Sequence, residues 1–152
     1  YLTQFKREIE AFESPTHRCS VDQTFIVILA GKSIDSMQDY YSNLFNLEKA
    51  PIMESRIRSI SKAFNLPEST KYNAAAIAIR DQCLIELDEM PKEASERSVS
   101  QGYLSPGISI VSFKLYDRNK MINGYESHLP NLEQSKCVIE RGLNNELIEL
   151  IY

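Results

Sequence analysis

Two glutamates stand in the same local sequence: Glu86 within Leu84-Ile85-Glu86-Leu87 and Glu149 within Leu147-Ile148-Glu149-Leu150, 63 residues apart. A carboxylate inside an apolar strand is costly unless it is exposed, paired, or bound to a ligand or cation. In such a place it can accept hydrogen bonds from a substrate, ligate a divalent metal, or take a proton as a general base. The plain alternative is a partly solvated strand face on which each glutamate answers a nearby Lys or Arg. Strand alternation puts Glu86 on one face with Leu84 and Asp88, and Glu149 on one face with Leu147 and Ile151.

Other reactive side chains are sparse. Cys19, Cys83 and Cys137 are odd in number and widely spaced, and only His17 and His128 supply imidazole. A zinc site of Cys and His is therefore not expected, whereas reduced thiols in a cytoplasm are. Cys83 opens a strand of buried character, which suits a structural role better than a nucleophile. His17 and His128 fall in expected loops and read as surface residues. No Gly-x-Ser-x-Gly elbow, phosphate-cradling glycine loop or dinucleotide fingerprint occurs.

The elements that must position the two glutamates follow from periodicity. Leu2, Phe5, Ile9 and Phe12 predict an amphipathic helix that Ser14-Pro15 stops. Thr24 to Ala30 is a β-branched apolar run, the pattern of a covered strand. Ser33 and Asp35 then start a helix in which Met37, Tyr40, Tyr41, Leu44 and Phe45 recur at three- and four-residue steps. These aromatic residues suit either the wall of a ligand cleft or, more commonly at this spacing, a packed core. A second helix is expected over Glu54 to Phe64. Tyr72 to Arg80, an Asp81-Gln82 turn and Cys83 to Glu89 read as a hairpin. Pro91 to Gly107 has linker composition. Ile108 to Leu115 alternates as a strand, Asp117 to Tyr125 reads as a short helix, and a polar loop follows. Cys137 to Arg141, a Gly142-Leu143-Asn144-Asn145 turn and Glu146 to Tyr152 close the chain as a second hairpin.

Both halves thus run strand, helix, strands, hairpin strand, with the repeated tetrapeptide on the last strand, which is the signature of an internal duplication. This succession resembles the vicinal oxygen chelate superfamily, which includes glyoxalase I, extradiol dioxygenases and the bleomycin- and fosfomycin-resistance proteins. The residues that carry the resemblance are the first strand Gln23-Thr24-Phe25-Ile26-Val27-Ile28, the helix with Tyr40-Tyr41-Ser42-Asn43-Leu44-Phe45-Asn46-Leu47, both Leu-Ile-Glu-Leu strands, and the turn Arg141-Gly142-Leu143-Asn144-Asn145. It covers about Gln23 to Tyr152.

The resemblance implies an α+β fold in which two paired βαβββ modules form a curved mixed sheet with a cleft. Residues 1–22 would be an N-terminal helix and lead-in, and 23–152 the glyoxalase-like domain, with module one at about 23–90, a linker at 91–106 and module two at 107–152. It also implies metal ligands on the first and last strand of each module. By position these are Glu86 and Glu149 on the last strands and Gln23, or Thr24 one residue on, on the first strand of module one. In module two the position falls near Ile110, with Ser109 and Ser112 as neighbours and no His. Gln23, Glu86 and Glu149 are the metal candidates, an all-oxygen set suited to weak Mg²⁺ or Mn²⁺ binding. Because that set falls short of the usual one, the first expectation is a small organic ligand held in the cleft without the full metal site. Its anchors would be Gln23, Glu86, Ser112 and Glu149. The alternatives are a metal-dependent lyase, isomerase or dioxygenase with a divalent cation as cofactor, and a structural or interaction module of a larger protein.

Composition limits the partners. The 152 residues carry 17 Lys+Arg against 21 Asp+Glu, a net charge of −4, with 43% hydrophobic residues. One cored domain, or two small halves, is natural at this length. Arg56, Arg58 and Lys62 are the nearest approach to a basic cluster and read as a solvated helix face, so nucleic acid is not an expected partner. The apolar run Thr24 to Gly31 is far shorter than the roughly 20 residues of a membrane span. No signal-peptide pattern is found. The amphipathic stripe Leu2 to Phe12 needs a surface to cover it, and the expected partner is a second copy in a homodimer, or an upstream domain of the same chain.

Overall fold

A computed structural model describes residues 19, 24–79, 83–114, 125–127 and 137–151 of the chain. The expected helix at Leu2 to Phe12, Gln23, both histidines and the Asp81-Gln82 turn lie outside the described residues. The chain divides into two compact units, Tyr1–Ala94 and Ser95–Tyr152.

In the first unit, strand β1 (Ile26–Gly31) leads to helix α1 (Ile34–Phe45), β2 (Met53–Ser55), the short helix α2 (Arg58–Ala63), β3 (Tyr72–Ile79) and β4 (Cys83–Glu89). The sheet order is β1-β4-β3-β2, with β1 parallel to β4 and the other pairs antiparallel. Helix α1 begins where the sequence places its start: the Ser33 hydroxyl accepts from the Ser36 N–H at 3.3 Å. It ends at Asn46 in the left-handed region (φ 53°), with the Leu47 N–H donating to the Ser42 carbonyl at 2.9 Å. Ile34, Met37 and Tyr41 bury the stripe that packs on the sheet. Tyr41 is thus core, its ring edge-on to Tyr40 at a centroid distance of 5.0 Å.

Glu89 fixes which face α1 covers. One carboxylate oxygen accepts from the Ile34 N–H at 3.1 Å and the other from Asn73 Nδ2 at 2.7 Å, placing the acidic end of β4 at the positive end of the helix. Alternation then puts Ile85 and Leu87, both fully buried, on the same side as Glu89. Leu84, Glu86 and Asp88 lie on the opposite face.

The expected helix at Glu54 to Phe64 is shorter than its periodicity suggests. Met53–Ser55 is instead a strand, with Met53 opposite Ala74 and Ser55 opposite Tyr72. Ile57 at the head of α2 makes no side-chain cap, so the backbone groups before it are better satisfied across the sheet than in an uncapped first turn. Lys71 Nζ meets Glu54 Oε2 at 2.8 Å along this edge. A buried hydrogen bond of 3.0 Å between Ser61 Oγ and Tyr72 Oη fastens α2 to β3.

The second unit contains β5 (Ile110–Lys114), β6 (Tyr125–Ser127), β7 (Cys137–Arg141) and β8 (Leu147–Ile151), in the order β5-β8-β7-β6. The first strand again runs parallel to the last. Tyr125, expected at the end of a helix, is in β6, where it pairs with Ile139 and satisfies the outer edge of β7. The β7–β8 turn is closed by Gly142 N–H to Glu146 O at 2.8 Å and by Asn144 N–H to Glu146 Oε2 at 3.0 Å, with Asn145 at φ 64°. Glu146, expected in the strand, belongs to this turn. The Arg97 guanidinium donates to the Ile108 carbonyl at 2.7 Å, and Asn145 Nδ2 donates to the Arg97 carbonyl at 3.3 Å.

The two sheets repeat in register as well as in order. The Leu84 N–H donates to the Phe25 carbonyl at 2.7 Å and the Leu147 N–H to the Ser109 carbonyl at 2.9 Å. Glu86 lies between Ile28 and Ala76, and Glu149 between Ser112 and Ile139. Both hairpins therefore keep the 63-residue spacing from Ala76 to Ile139 and from Glu86 to Glu149.

Candidate functional site

The two glutamates occupy equivalent points in the two sheets, and their surroundings differ. Glu149 is only 4% exposed, and the Ser112 hydroxyl donates to its Oε2 at 2.5 Å. Register explains the contact: Ser112 is the residue opposite Glu149 on the parallel strand, with both side chains on one face. A hydroxyl donor to a carboxylate is one of the stronger hydrogen bonds, and here it offsets the cost of burial. Glu149 is thus neither solvated nor answered by a Lys or Arg among the described residues, in contrast to the plain expectation for it.

Glu86 is half-buried, and the strand partner that stands where Ser112 stands in the other sheet is Ile28, which offers no donor. Its neighbour is another acid. Asp88 lies two residues on along the same face, 4% exposed, with its Oδ1 lacking any hydrogen-bond partner. Burial, then the charge of Glu86 and a hydrogen bond with it, push the Asp88 carboxyl up to about 6. Asp88 was not among the residues the sequence singled out for a site. The signal was present in the i, i+2 alternation that puts it beside Glu86, but nothing in the sequence marks it as buried.

Of the other expected anchors, Gln23 lies outside the described residues. Ile110 stands opposite Leu147 as Ile26 stands opposite Leu84, so the register counterpart of Ile110 is Ile26 and not Gln23. Ser109 turns its hydroxyl to the Ser105 carbonyl at 2.5 Å, and so serves the loop. Within the first unit the structure brings Glu86 and Asp88 together, and within the second Ser112 and Glu149.

The described acids alone do not make a metal-ligand set, and Gln23 and both histidines lie outside the described residues. No three of His, Cys, Asp and Glu come together among the described residues, and one oxygen of Glu149 is already taken by Ser112. The arrangement can accept hydrogen bonds and hold positive charge. Cys83 is half-buried, Cys137 buried and Cys19 exposed, and none is in a disulfide. Burial raises the Cys83 thiol above its ordinary value, against a weak opposing contact with the Leu84 carbonyl, which is unfavourable for a thiolate nucleophile. No described helix is long and apolar enough to cross a membrane.

Two mixed sheets of the same order, each with its first strand parallel to its last, make a fold that is also found in solved glyoxalase-type structures. A glyoxalase family protein from Bacillus cereus matches with a TM-score of 0.62 at 16% identity, over 90% of this chain and 97% of that one. A glyoxalase/dioxygenase from Nostoc punctiforme matches with a TM-score of 0.54 at 12% identity, over 91% and 96%. No family model and no curated protein matches the sequence.

Proposed function

We propose that this chain binds a small organic ligand, with Gln23, Glu86, Ser112 and Glu149 as its polar anchors and no complete metal site. The observation that carries this reading is the pair of acids at one repeated register point, each set in strands of Leu and Ile: Glu86 beside Ile28, and Glu149 beside Ile139. A sequence selected only for stability has little reason to keep a carboxylate at both points, because burial of charge costs more than an apolar residue of similar size. Apolar sheet faces with a few placed polar groups are a common design for holding small molecules.

A metal-dependent lyase, isomerase or dioxygenase activity would need ligands beyond the described acids. Elemental analysis after incubation with Mg²⁺, Mn²⁺, Fe²⁺, Zn²⁺ and Ni²⁺ separates the two readings. Near one metal per chain, lost in Glu86→Ala and Glu149→Ala, would replace the metal-free reading. A fragment screen on the unmodified protein and the same two variants tests ligand binding itself, and ligands whose affinity ignores both substitutions would remove these residues from the site.

We further propose a cytoplasmic protein on the strength of its three widely spaced cysteines, and a homodimer, or packing on an upstream domain of the same chain, on the strength of the apolar stripe at Leu2 to Phe12. Sedimentation reads the oligomeric state, and a monomer at high concentration would contradict the dimer.

A further inference from the structure

We propose that the first sheet binds the ammonium group of a small organic ligand through Glu86 and Asp88, on the face turned away from α1. This rests on the reading of the chain as a small-ligand binder and adds the chemical class of the ligand.

Charge complementarity points to this face. Glu86 and Asp88 stand side by side on β4, and the strands on either side of it, β1 and β3, contain no charged residue at all. Two acids therefore face apolar neighbours, Ile28 and Ala30 on one side and Ala74 and Ala76 on the other. The Asp88 Oδ1 has no donor although its residue is 4% exposed, and buried acceptors of this kind are ordinarily satisfied. A protonated amine supplies both missing elements, a positive charge and up to three donors. The half-buried Glu86 is the point of approach.

Comparison of the two repeats supports the same assignment. At the positions of Ala74, Ala76 and Ala78 the second sheet has Cys137, Ile139 and Arg141, and at the position of Asp88 it has Ile151. The first sheet thus has the smaller side chains and the additional acid at the same register points. Ala76 and Ala78 are exposed, so the carbon skeleton of a ligand can lie along them beside Ile28, which is 45% exposed. A divalent cation is the weaker occupant because two carboxyl groups with no third ligating side chain among the described residues make a poor metal site.

The test is a titration of the full chain with benzylammonium, benzyl alcohol and benzoate, followed by amide chemical shifts and calorimetry. Benzylammonium should bind saturably and shift amides of β3 and β4, with the alcohol and the acid weaker by about tenfold or more. Glu86→Gln and Asp88→Asn should each weaken it by a similar factor, and Ala76→Leu should block it while leaving both acids in place. Equal binding of benzyl alcohol, unchanged affinity in both acid variants, or preferential uptake of Mg²⁺ at these residues would overturn the proposal. Neutral or anionic fragments that bind in a Glu86-dependent way, with benzylammonium silent, would sink this inference and leave the general ligand-binding reading standing. Silence of every fragment would sink both.

Discussion

Asp88 carries the most direct consequence at the scale of single residues. Its carboxyl is held at about 6 against an ordinary 3.8, so the folded chain binds that proton more tightly than the unfolded chain does. Above about pH 6 the charge opposes folding in full. As the pH falls through 6 toward 4 that opposition is withdrawn, and the contribution of this group to stability rises by up to about 3 kcal/mol. Urea unfolding of Asp88→Asn should show greater stability than the parent at pH 7.5 and a flatter profile between pH 4 and 6. A variant that is less stable at pH 7.5 would mean that a partner already satisfies Asp88. A group that costs stability where it stands is commonly one kept for function. Ser112 behaves in the opposite sense. Its loss in Ser112→Ala strips the donor from a buried carboxylate and should cost about 1–2 kcal/mol, while Ser112→Ala combined with Glu149→Leu should recover much of that. Thermal unfolding of the single and double variants measures both.

At the scale of elements, the strands and α1 were legible because their signals are local. Thr24 to Ala30 is β-branched, Ser33 is a good N-cap, and the strands ending in Glu89 and Ile151 are short apolar runs around the repeated tetrapeptide. The strands β2 and β6 were not legible, because three residues give no period and their reason to exist is the unsatisfied edge of a strand far along the chain. The same applies to the parallel pairing of β1 with β4 and β5 with β8, a non-local choice that a single sequence does not print. The repeated tetrapeptide did point to the acids of the candidate site. It gave no sign that one would be buried under a serine and the other set against a second acid, since that depends on which residue lies opposite. Two contacts at this scale are open to measurement. Tyr72→Phe and Ser61→Ala should each cost about 1 kcal/mol, with a coupling between them that a double-mutant cycle detects; simple additivity would mean α2 is not held by this bond. Gly142→Ala places a methyl group in the space of the Glu146 side chain and should cost about 1–3 kcal/mol, relieved when Glu146→Ala is added.

For the whole molecule, one strand order is used twice, in the first unit as β1-β4-β3-β2 and in the second as β5-β8-β7-β6. The register repeats from Ala76 to Ile139 and from Glu86 to Glu149, while the residues around the acids have diverged from Ala to Ile and from Ile to Ser. The central claim is that these acids hold a small organic molecule. It is tested most directly by a ligand-observed NMR screen of a fragment library containing cationic, neutral and anionic members, run in parallel on the parent chain, Glu86→Ala and Glu149→Ala. The expected result is a set of fragments that bind the parent with metal chelator present and are lost or weakened by about tenfold in at least one variant. Binding that is unaffected in both variants, or that vanishes from the parent when chelator is added, would contradict it.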